Sequence, residues 1–327
     1  MEPVVSVIFI TYNHEKYVEK SLRSVLEQET DFPFEVVVGE DCSTDRTREI
    51  VQRVAADYPQ HEVRFLFREK NLGRPTLNVY ETTMECRGIF LAYLEGDDYW
   101  TDPKKLQKQV DFLRAHPEYI GVTHKSVLID ENDEANEDPD ALRALSLYDW
   151  TGPFTYQDYK YTGKWPGHFA SLLSRNVYHN GKLDYTILYR AHDFVDDAVI
   201  LLFLLLQGDL FRMDEEMAVW RFVKKKESGS WTSVAAQRDI AKDDCYLSKT
   251  LMQWIEENAQ LDEYAPIVAK RSFNLALARF LKKPVKENKA FLRDMYDYQI
   301  THVVMHDHKS SLFSYSCRAI LEKITGK

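Results

Sequence analysis

The sequence predicts an α/β protein whose N-terminal part is a doubly wound sheet, in which strands alternate with helices. Short runs of β-branched and apolar residues recur over residues 1–115, and each is followed by apolar side chains at helical spacing. The strand-like runs end abruptly in polar or acidic turns. Neither the GxGxxG of dinucleotide-binding folds nor the GxxxxGK[ST] phosphate loop is present. The layout is therefore Rossmann-like, but both of these phosphate-binding motifs are missing.

The elements of this half follow in a regular order. A first strand is predicted over Val4–Ile10, and apolar residues at helical spacing predict a helix from Glu15 to about Glu29. Asp102 followed by Pro103 predicts the start of a further helix, with N-cap and first helical position. The other strands, each followed by a helix, are predicted at Phe34–Val38, Val63–Phe67 and Ile89–Leu94.

The rest of the chain carries weaker signals. Residues 130–140 (DENDEANEDPD) are most simply a solvated acidic loop. Leu210–Met213 and Met217–Phe222 predict two short strands. The apolar run Val199–Leu206 predicts a core helix, because it is far too short to cross a bilayer. From about Ser233 onwards the pattern is helical.

Composition excludes some classes of function. The net charge of −10 argues against a nucleic-acid-binding surface, which needs a basic footprint, so we expect no nucleic-acid partner. The four cysteines are scattered without zinc spacing and are typical of reduced thiols. No signal peptide follows Met1. We therefore expect a cytoplasmic protein, and peripheral contact with the inner face of the membrane stays open.

A cluster of acids marks the end of one predicted strand. The stretch Ile89–Trp100 begins as an apolar run and ends on Glu95, Asp97 and Asp98, with Gly96 between them. Carboxylates this close resist joint ionisation, and a hard divalent cation such as Mg²⁺ removes that penalty. Ligands of open α/β sheets also bind at the carboxyl ends of strands. A polar turn after a core strand is the competing interpretation.

Four segments taken together resemble the family-2 glycosyltransferases of the GT-A fold, of the bacterial polysaccharide type. The resemblance is strong over about 1–125, moderate to about 235 and absent beyond. The segments are SVIFITYNHEKYVEKSLRSVLEQ (6–28), GEDCSTDRT (39–47), LEGDDYW (94–100) and VDDAVILLFLLLQGDL (195–210). The sequence departs from the family pattern at Glu40 and Glu95, which replace Asp, and at Cys42, which replaces Gly.

The resemblance implies a GT-A mixed sheet flanked by helices, followed by a helical C-terminal extension. We predict a catalytic domain over 1–235, with a nucleotide-binding half (1–125) and an acceptor half (126–235), and a helical region over 236–327. That helical region could pack on the catalytic domain, form a homodimer or contact a membrane near Ser311–Lys327.

The resemblance also implies roles for individual residues. Asp97 would ligate Mg²⁺ or Mn²⁺ that bridges a diphosphate, with Asp98 as a further metal residue. Arg74 would contact phosphate, but Leu77 and Asn78 stand where the family usually has another Arg. The residues implied in nucleotide binding are Thr11, Tyr12, Asn13, Glu15, Glu40, Asp41, Asn71, Gly73, Arg74, Glu95 and Gly96. Turn formation and helix capping would explain several of them equally well.

The acidic pair before the apolar helix would supply the catalytic base. Asp197 is the first candidate, because the helix N-terminus favours an ionised carboxylate, and Asp196 is the second. The family often places a His after its late Tyr-Arg strand, whereas this chain has Lys224–Lys226 there. We predict that Lys224 replaces that His near the diphosphate, although a solvated basic turn explains it equally well.

The leading interpretation is an inverting, metal-dependent glycosyltransferase. It would move a sugar from a nucleotide-sugar donor, with UDP as the expected nucleotide, to a glycan or lipid-linked acceptor. A sugar-nucleotide nucleotidyltransferase is one alternative, but it should carry a Gly-rich basic loop where this chain has TYNHEKY. A catalytically silent nucleotide-sugar-binding protein is the other alternative, and it predicts binding without turnover.

Overall fold

A computed structural model describes the chain over most of its length, and its contacts divide the chain into two compact units, 1–237 and 238–327. Each unit is described by itself. The described residues are 2–145, 150–162, 165–223, 239–258 and 264–299.

The first unit is built on one nine-stranded sheet. Its strands are β1 (Val5–Thr11), β2 (Phe34–Glu40), β3 (Glu62–Phe67), β4 (Phe90–Glu95), β5 (Tyr99–Trp100), β6 (Tyr119–Ile129), β7 (Gly152–Phe154), β8 (Leu173–Arg175) and β9 (Asp209–Arg221). Its helices are α1 (Val18–Leu26), α2 (Thr47–Ala56), α3 (Pro75–Met84), α4 (Lys105–Ala115), α5 (Pro139–Leu145), α6 (Tyr156–Thr162), α7 (Ile187–Ala191) and α8 (Asp197–Leu205).

The sheet is mixed, as the resemblance implied. Its strand order is β3-β2-β1-β4-β8-β6-β9-β5, and β7 also pairs with β9. Strands β3, β2, β1 and β4 are parallel, whereas β8 runs antiparallel to both β4 and β6. The predicted α/β fold is therefore confirmed, with the parallel part formed by the first four strands along the chain.

The continuous apolar runs explain why the parallel strands lie inside. All seven residues of β1 and of β2 are buried, as expected for strands that are covered on both faces. Helix α1 buries Val18, Leu22, Val25 and Leu26 against this sheet, at the spacing that the sequence predicted. Burying each such side chain contributes about 1.5–3 kcal/mol.

Strand pairing brings three strand tips to the same edge. In the register of the sheet, Ile10 of β1 lies opposite Glu95 of β4, and Thr11 lies opposite Glu40 of β2. Since these strands are parallel, the residues that follow each tip must gather at the carboxyl edge. This edge holds the candidate site.

Two predictions about the second half of the unit are wrong. Leu210–Met213 and Met217–Phe222 were predicted as two strands, but a single strand, β9, runs through both and ends at Arg221. Its register with β6 shifts between the pairs Thr123–Arg212 and Lys125–Glu216. A β-bulge absorbs the acidic residues between them without ending the strand, so a charged break in the sequence was misread as a turn.

Helix α4 also begins later than predicted, at Lys105. The N-cap residue is Lys104, and the Asp102 side chain accepts a hydrogen bond from the N–H of Lys104. A turn therefore precedes the helix, because Pro103 is followed by a further residue outside helical geometry.

The acidic segment is not merely a solvated loop. Asp130 closes a tight turn by accepting hydrogen bonds from the N–H groups of Asn132 and Glu134. Asp133 lies next in this turn, and its carboxylate contacts Lys20 of α1 and Arg221 of β9. The segment is thus tied to two other elements of the first unit.

The second unit is helical, with α9 (Ile240–Asn258), α10 (Tyr264–Lys282) and α11 (Lys286–Gln299). Helices α10 and α11 are joined by a short turn that contains Pro284. Phe273, Ala276, Phe291 and Leu292 form part of the core of this unit. Across the described residues, we find no helix that is both long enough and apolar enough to cross a membrane.

Candidate functional site

A cavity of about 290 Å³ opens at the carboxyl edge of the parallel strands. Eight residues predicted from the sequence line it: Thr11, Tyr12, Asp41, Asn71, Gly73, Glu95, Asp97 and Asp196. The lining therefore combines residues after β1, β2 and β3 with the acidic end of β4 and the residue before α8. Sequence positions nearly 190 residues apart meet in one cavity.

One end of the cavity is formed by Asp41 and the turn after β3. Asp41 accepts hydrogen bonds from the N–H of Leu72 and from the side-chain amide of Asn71. The side-chain oxygen of Asn71 accepts a hydrogen bond from the N–H of Gly73, whose φ of 62° favours glycine. Burial raises the pKa of the Asp41 carboxyl. Asp41 is thus held in one orientation at the cavity wall.

The tight turn after β4 presents Asp97. The N–H of Gly96 donates to the carbonyl of Ile10, which pulls the turn against β1. A Cβ at Gly96 would lie 2.5 Å from Thr11 Oγ1 and 2.8 Å from His14 Nδ1, so a side chain does not fit there. Gly96 therefore acts by close packing. Asp97 beyond it is 14% exposed, and its Oδ2 lies 4.0 Å from His14 Nε2.

The acids around the cavity repel one another. The pKa of Glu95 is raised well above its ordinary value, first by burial and then by the charge of Asp97, with smaller effects from Asp196 and its neighbours. Like charges in a buried site favour the protonated form of one member. A positive charge brought into the cavity would relieve this repulsion.

Asp196 and Asp197 lie where the loop before α8 enters the helix. Asp196 is the N-cap and accepts a hydrogen bond from the N–H of Asp197, and burial followed by the charge of Asp197 raises the pKa of Asp196 to about 7. Asp197 accepts from the N–H of Ala198, and burial raises its pKa as well. Of the two, Asp196 lines the cavity. The sequence had ranked Asp197 first.

Three predicted nucleotide-binding residues serve the loops instead of the cavity wall. The side-chain oxygen of Asn13 accepts from the N–H of Thr44, and Asn13 itself has a φ of 55°. Glu15 accepts from the N–H of Arg46. Glu40 is fully buried and binds Arg48. These contacts fit the turn and capping roles that competed with nucleotide binding, and they shape the loop that carries Asp41.

Arg74, which was predicted to contact phosphate, binds the loop before α8 in this structure. Its Nε donates to Asp193 at 2.6 Å, and a terminal nitrogen donates to the carbonyl of Tyr189 at 2.5 Å. Thr76, two residues on, donates to the carbonyl of His192. The start of α3 thereby holds the loop that leads to Asp196.

Asp98 does not line the cavity either. Its Oδ1 accepts the backbone N–H of Arg221 at 2.8 Å, and its Oδ2 lies 3.6 Å from His168 Nδ1. It therefore supports the turn that presents Asp97. The predicted Lys224 lies outside the described residues, as does the C-terminal segment 311–327.

Comparisons with known proteins agree with this geometry. The family model described as Glycosyl transferase family 2 matches residues 6–173, just over half of the chain. The chain belongs to glycosyl transferase family 2. The match contains the residues that line the cavity except Phe194 and Asp196.

Relatives match over the same part of the chain. An uncharacterized protein of Mycobacterium tuberculosis is 42% identical over 127 residues, which cover 39% of this chain and 36% of the relative. The putative teichuronic acid biosynthesis glycosyltransferase TuaG of Bacillus subtilis is 33% identical over 112 residues, covering 34% of this chain and 42% of the relative. The chain thus spans less than half the length of these curated relatives.

Solved structures show the fold over a longer part of the chain. The crystal structure of Staphylococcus aureus TarS in complex with UDP-GlcNAc has a TM-score of 0.64 and 22% sequence identity, covering 91% of this chain and 80% of that one. This likeness confirms the family's GT-A fold for the chain.

Sequence reasoning missed several lining residues. They are Ile10, His14, Pro75, Asn78 and Phe194. The nearness of His14 to Asp97 follows from the pairing of β1 with β4, which no local pattern reveals. Phe194 is a single apolar residue in a loop, and it carried no signal.

Proposed function

We propose that this chain is an inverting, metal-dependent glycosyltransferase that moves a sugar from a UDP-sugar to a glycan or lipid-linked acceptor. The observation that carries the proposal is that Asp41, Asp97 and Asp196 line one cavity. A nucleotide-binding acid, a metal-binding acid and a proton-accepting acid are the three groups that the reaction needs, and each comes from a different loop. Such a reaction would contribute to the assembly of cell-surface polysaccharide at the cytoplasmic side of a membrane.

The nucleobase would lie at the Asp41 end. Asp41, Asn71 and Gly73 form a polar wall there, and an orientated carboxylate suits the N–H of a uracil ring. The UDP-GlcNAc bound by TarS, a protein of the same fold, supports UDP as the nucleotide. Thr11 and Tyr12, which also line the cavity, would contact the ribose.

The residues around Asp97 fit a divalent cation that arrives with its substrate. Within the described parts of the chain, no three His, Cys, Asp or Glu side chains converge as a complete metal site. Mg²⁺, however, is usually bound by one or two carboxylates together with substrate phosphates. Burial and then the charge of Asp97 raise the pKa of Glu95, and such a cation would relieve the repulsion between these acids. Asp97 would hold it, and it would supply Lewis-acid stabilisation of the diphosphate leaving group.

The chain's own residues account for the rest of the reaction. The acceptor hydroxyl attacks the anomeric carbon while its proton passes to a carboxylate of the Asp196–Asp197 pair. The new glycosidic C–O bond forms as the bond to the diphosphate breaks, so the products are the glycoside and UDP. Attack from the face opposite the leaving group inverts the anomeric configuration. The geometry favours Asp196 as the base, whereas the resemblance favoured Asp197.

A donor panel tests the proposal. Binding and hydrolysis of UDP-, GDP- and TDP-sugars are measured with Mn²⁺ and with EDTA, for the parent and for Asp97→Asn. We expect UDP-sugars to bind most tightly, and EDTA or Asp97→Asn to abolish turnover. Full activity in EDTA would overturn the metal role.

Two other outcomes separate the alternatives. Release of pyrophosphate from UTP and a sugar phosphate would identify a nucleotidyltransferase. Tight binding of a UDP-sugar without turnover, across a panel of saccharide acceptors, would identify a silent binding protein. The presence of Asp196 in the cavity wall argues for turnover, because binding alone does not need a proton acceptor there.

A further inference from the structure

Arg221 lies at the end of β9, behind the turn that carries Asp97. Its side chain is only 2% exposed. Nε donates to the backbone carbonyl of Asp97 at 2.8 Å, and the backbone N–H donates to Asp98 Oδ1 at the same distance. The buried guanidinium thus holds the backbone of Asp97, and the backbone N–H of the same residue holds the side chain of Asp98.

The remaining nitrogens of Arg221 bind the acidic segment Asp130–Glu134, which we call the acidic turn. One terminal nitrogen donates to the carbonyl of Asp130 at 2.6 Å, and the other to Asp133 Oδ1 at 2.5 Å. The guanidinium also lies over the ring of Tyr17, 4.2 Å from its centroid. All three guanidinium nitrogens therefore have oxygen partners, which keeps a buried charge paired.

Helix α1 holds the acidic turn from the other side. Lys20 pairs with Asp133 Oδ2 at 2.8 Å, and Lys16 donates to the carbonyl of Glu131. Asp133 therefore bridges Lys20 and Arg221 with its two oxygens. The acidic turn is anchored on both sides, and through Arg221 that anchoring extends to Asp97.

We propose that Arg221 is a positioning residue that holds the Asp97 carboxylate in place for its cation, and that Asp133 of the acidic turn orients Arg221. This inference rests on the proposed function, because it assigns a support to the proposed metal ligand. Only a planar guanidinium spans the three oxygens of Asp97, Asp130 and Asp133 at once. A lysine has a single nitrogen and cannot do so.

The test measures how much a cation tightens nucleotide binding. The dissociation constant of UDP is measured by calorimetry with Mn²⁺ and with EDTA, for the parent, Arg221→Lys and Asp133→Asn. The ratio of the two constants isolates the cation's contribution, because general damage to the fold weakens both. Disturbing groups that support a metal ligand typically costs 10–100-fold in metal affinity. We expect Arg221→Lys to reduce the ratio about tenfold and Asp133→Asn to reduce it about threefold.

Asp57→Asn is the matched control. It removes a carboxylate that also pairs with a cation of α1, Arg23, at 2.8 Å, but Asp57 does not line the cavity. Its ratio should equal that of the parent. Asp133→Asn decides the matter if Arg221→Lys does not fold, since Asp133 is 38% exposed and the amide keeps its shape.

The outcomes separate this inference from the proposed function. A parent that tightens UDP binding with Mn²⁺, together with variants that tighten it equally, would overturn the positioning role alone. A parent that binds UDP equally with Mn²⁺ and EDTA would overturn the metal role of Asp97, and this inference with it.

Discussion

Two of the acids that line the cavity, Asp97 and Asp196, are supported in opposite ways. Asp97 lies on a tight turn between β4 and β5, packed by Gly96 and fixed from behind by the buried Arg221. Asp196 ends a loop that is held by the Arg74–Asp193 pair, whose side chains are 38% and 51% exposed. Solvent screens an exposed pair, whereas a buried charge network is costly to break.

This difference suggests a division of labour. The donor side must hold a small cation and a diphosphate, which require fixed ligand positions. The acceptor side must receive a hydroxyl group on a larger molecule, so its loop can be held more weakly. Substitutions should therefore distinguish the two sides by size of effect.

The largest effect should come from removing the proton acceptor. Asp196→Asn should lower kcat by about 10²–10⁴-fold, because general-base catalysis contributes that much. The dissociation constant of UDP should change little. The matched variant Asp197→Asn should retain more activity, since that residue does not line the cavity. If Asp197→Asn is the more damaged in kcat, the base is Asp197.

The pH profile sharpens the same assignment. Burial raises the pKa of Asp196 to about 7, and only its ionised form accepts a proton. The parent's kcat/KM should fall about tenfold per pH unit below that value and level off above it. The residual activity of Asp196→Asn should lack this fall. A parent profile that is flat from pH 5 to 8 would contradict the role of Asp196.

Asp196→Asn should raise the free energy of unfolding, although it lowers activity. The pKa of Asp196 is higher in the folded than in the unfolded chain, so the folded state binds more protons and loses stability as pH rises from about 4 to 7. Asp196→Asn removes this penalty. It should stabilise the first unit by a few kcal/mol at most at pH 8, and by less at pH 5.

Urea unfolding of the full chain at both pH values measures this. Asp102→Asn is a useful contrast, because its carboxylate behaves in reverse: burial raises its pKa, but hydrogen bonds from Lys108 and the N–H of Lys104 outweigh burial and lower it. That variant should be destabilised at pH 8. Equal stability of parent and Asp196→Asn at pH 8 would argue against a strained carboxylate at Asp196.

The smallest effect should come from the exposed pair. Arg74→Ala should raise the activation free energy by about 1 kcal/mol or less, because it loosens the loop that carries Asp196, and this corresponds to a few-fold loss in kcat. Asp193→Asn should cost no more than this, because it removes only the contact with Arg74, whereas Arg74→Ala also removes the hydrogen bond to the carbonyl of Tyr189. The double variant should therefore lose no more than Arg74→Ala alone. An effect of Arg74→Ala on UDP affinity as large as that of Asp97→Asn would revive the phosphate contact predicted from the sequence.

The sequence predicted the parallel core well because its signals are local. Apolar runs such as Val5–Ile10 and Phe34–Val38 bury every side chain, and their polar ends mark the carboxyl edge of the sheet. Thr11, Asp41 and Asp97 were predicted for this reason, since Thr11 ends β1, Asp41 follows β2 and Asp97 lies two residues beyond β4. The doubly wound order and the helical second unit followed from the same patterns.

What escaped prediction depends on contacts between distant elements. Asp133 was assigned to a solvated loop, but its partners Lys20 and Arg221 lie about 110 and 90 residues away along the chain. Arg74 was assigned to phosphate, yet it binds Asp193 of the opposite loop. The spacing of apolar residues along the chain carries no information about ion pairs between distant elements. Charged side chains at turns are therefore the residues whose roles most needed the structure.

The pairing of β1 with two neighbours has a consequence for how this protein can vary in length. Each residue from Val5 to Ile10 has a fixed partner in both β2 and β4. Deleting one residue from β1 would turn every following side chain to the opposite face. The loops beyond the strand tips tolerate added residues at small entropic cost. New acceptor preferences should therefore be sought by lengthening the loops, while the number of residues in each strand is kept unchanged.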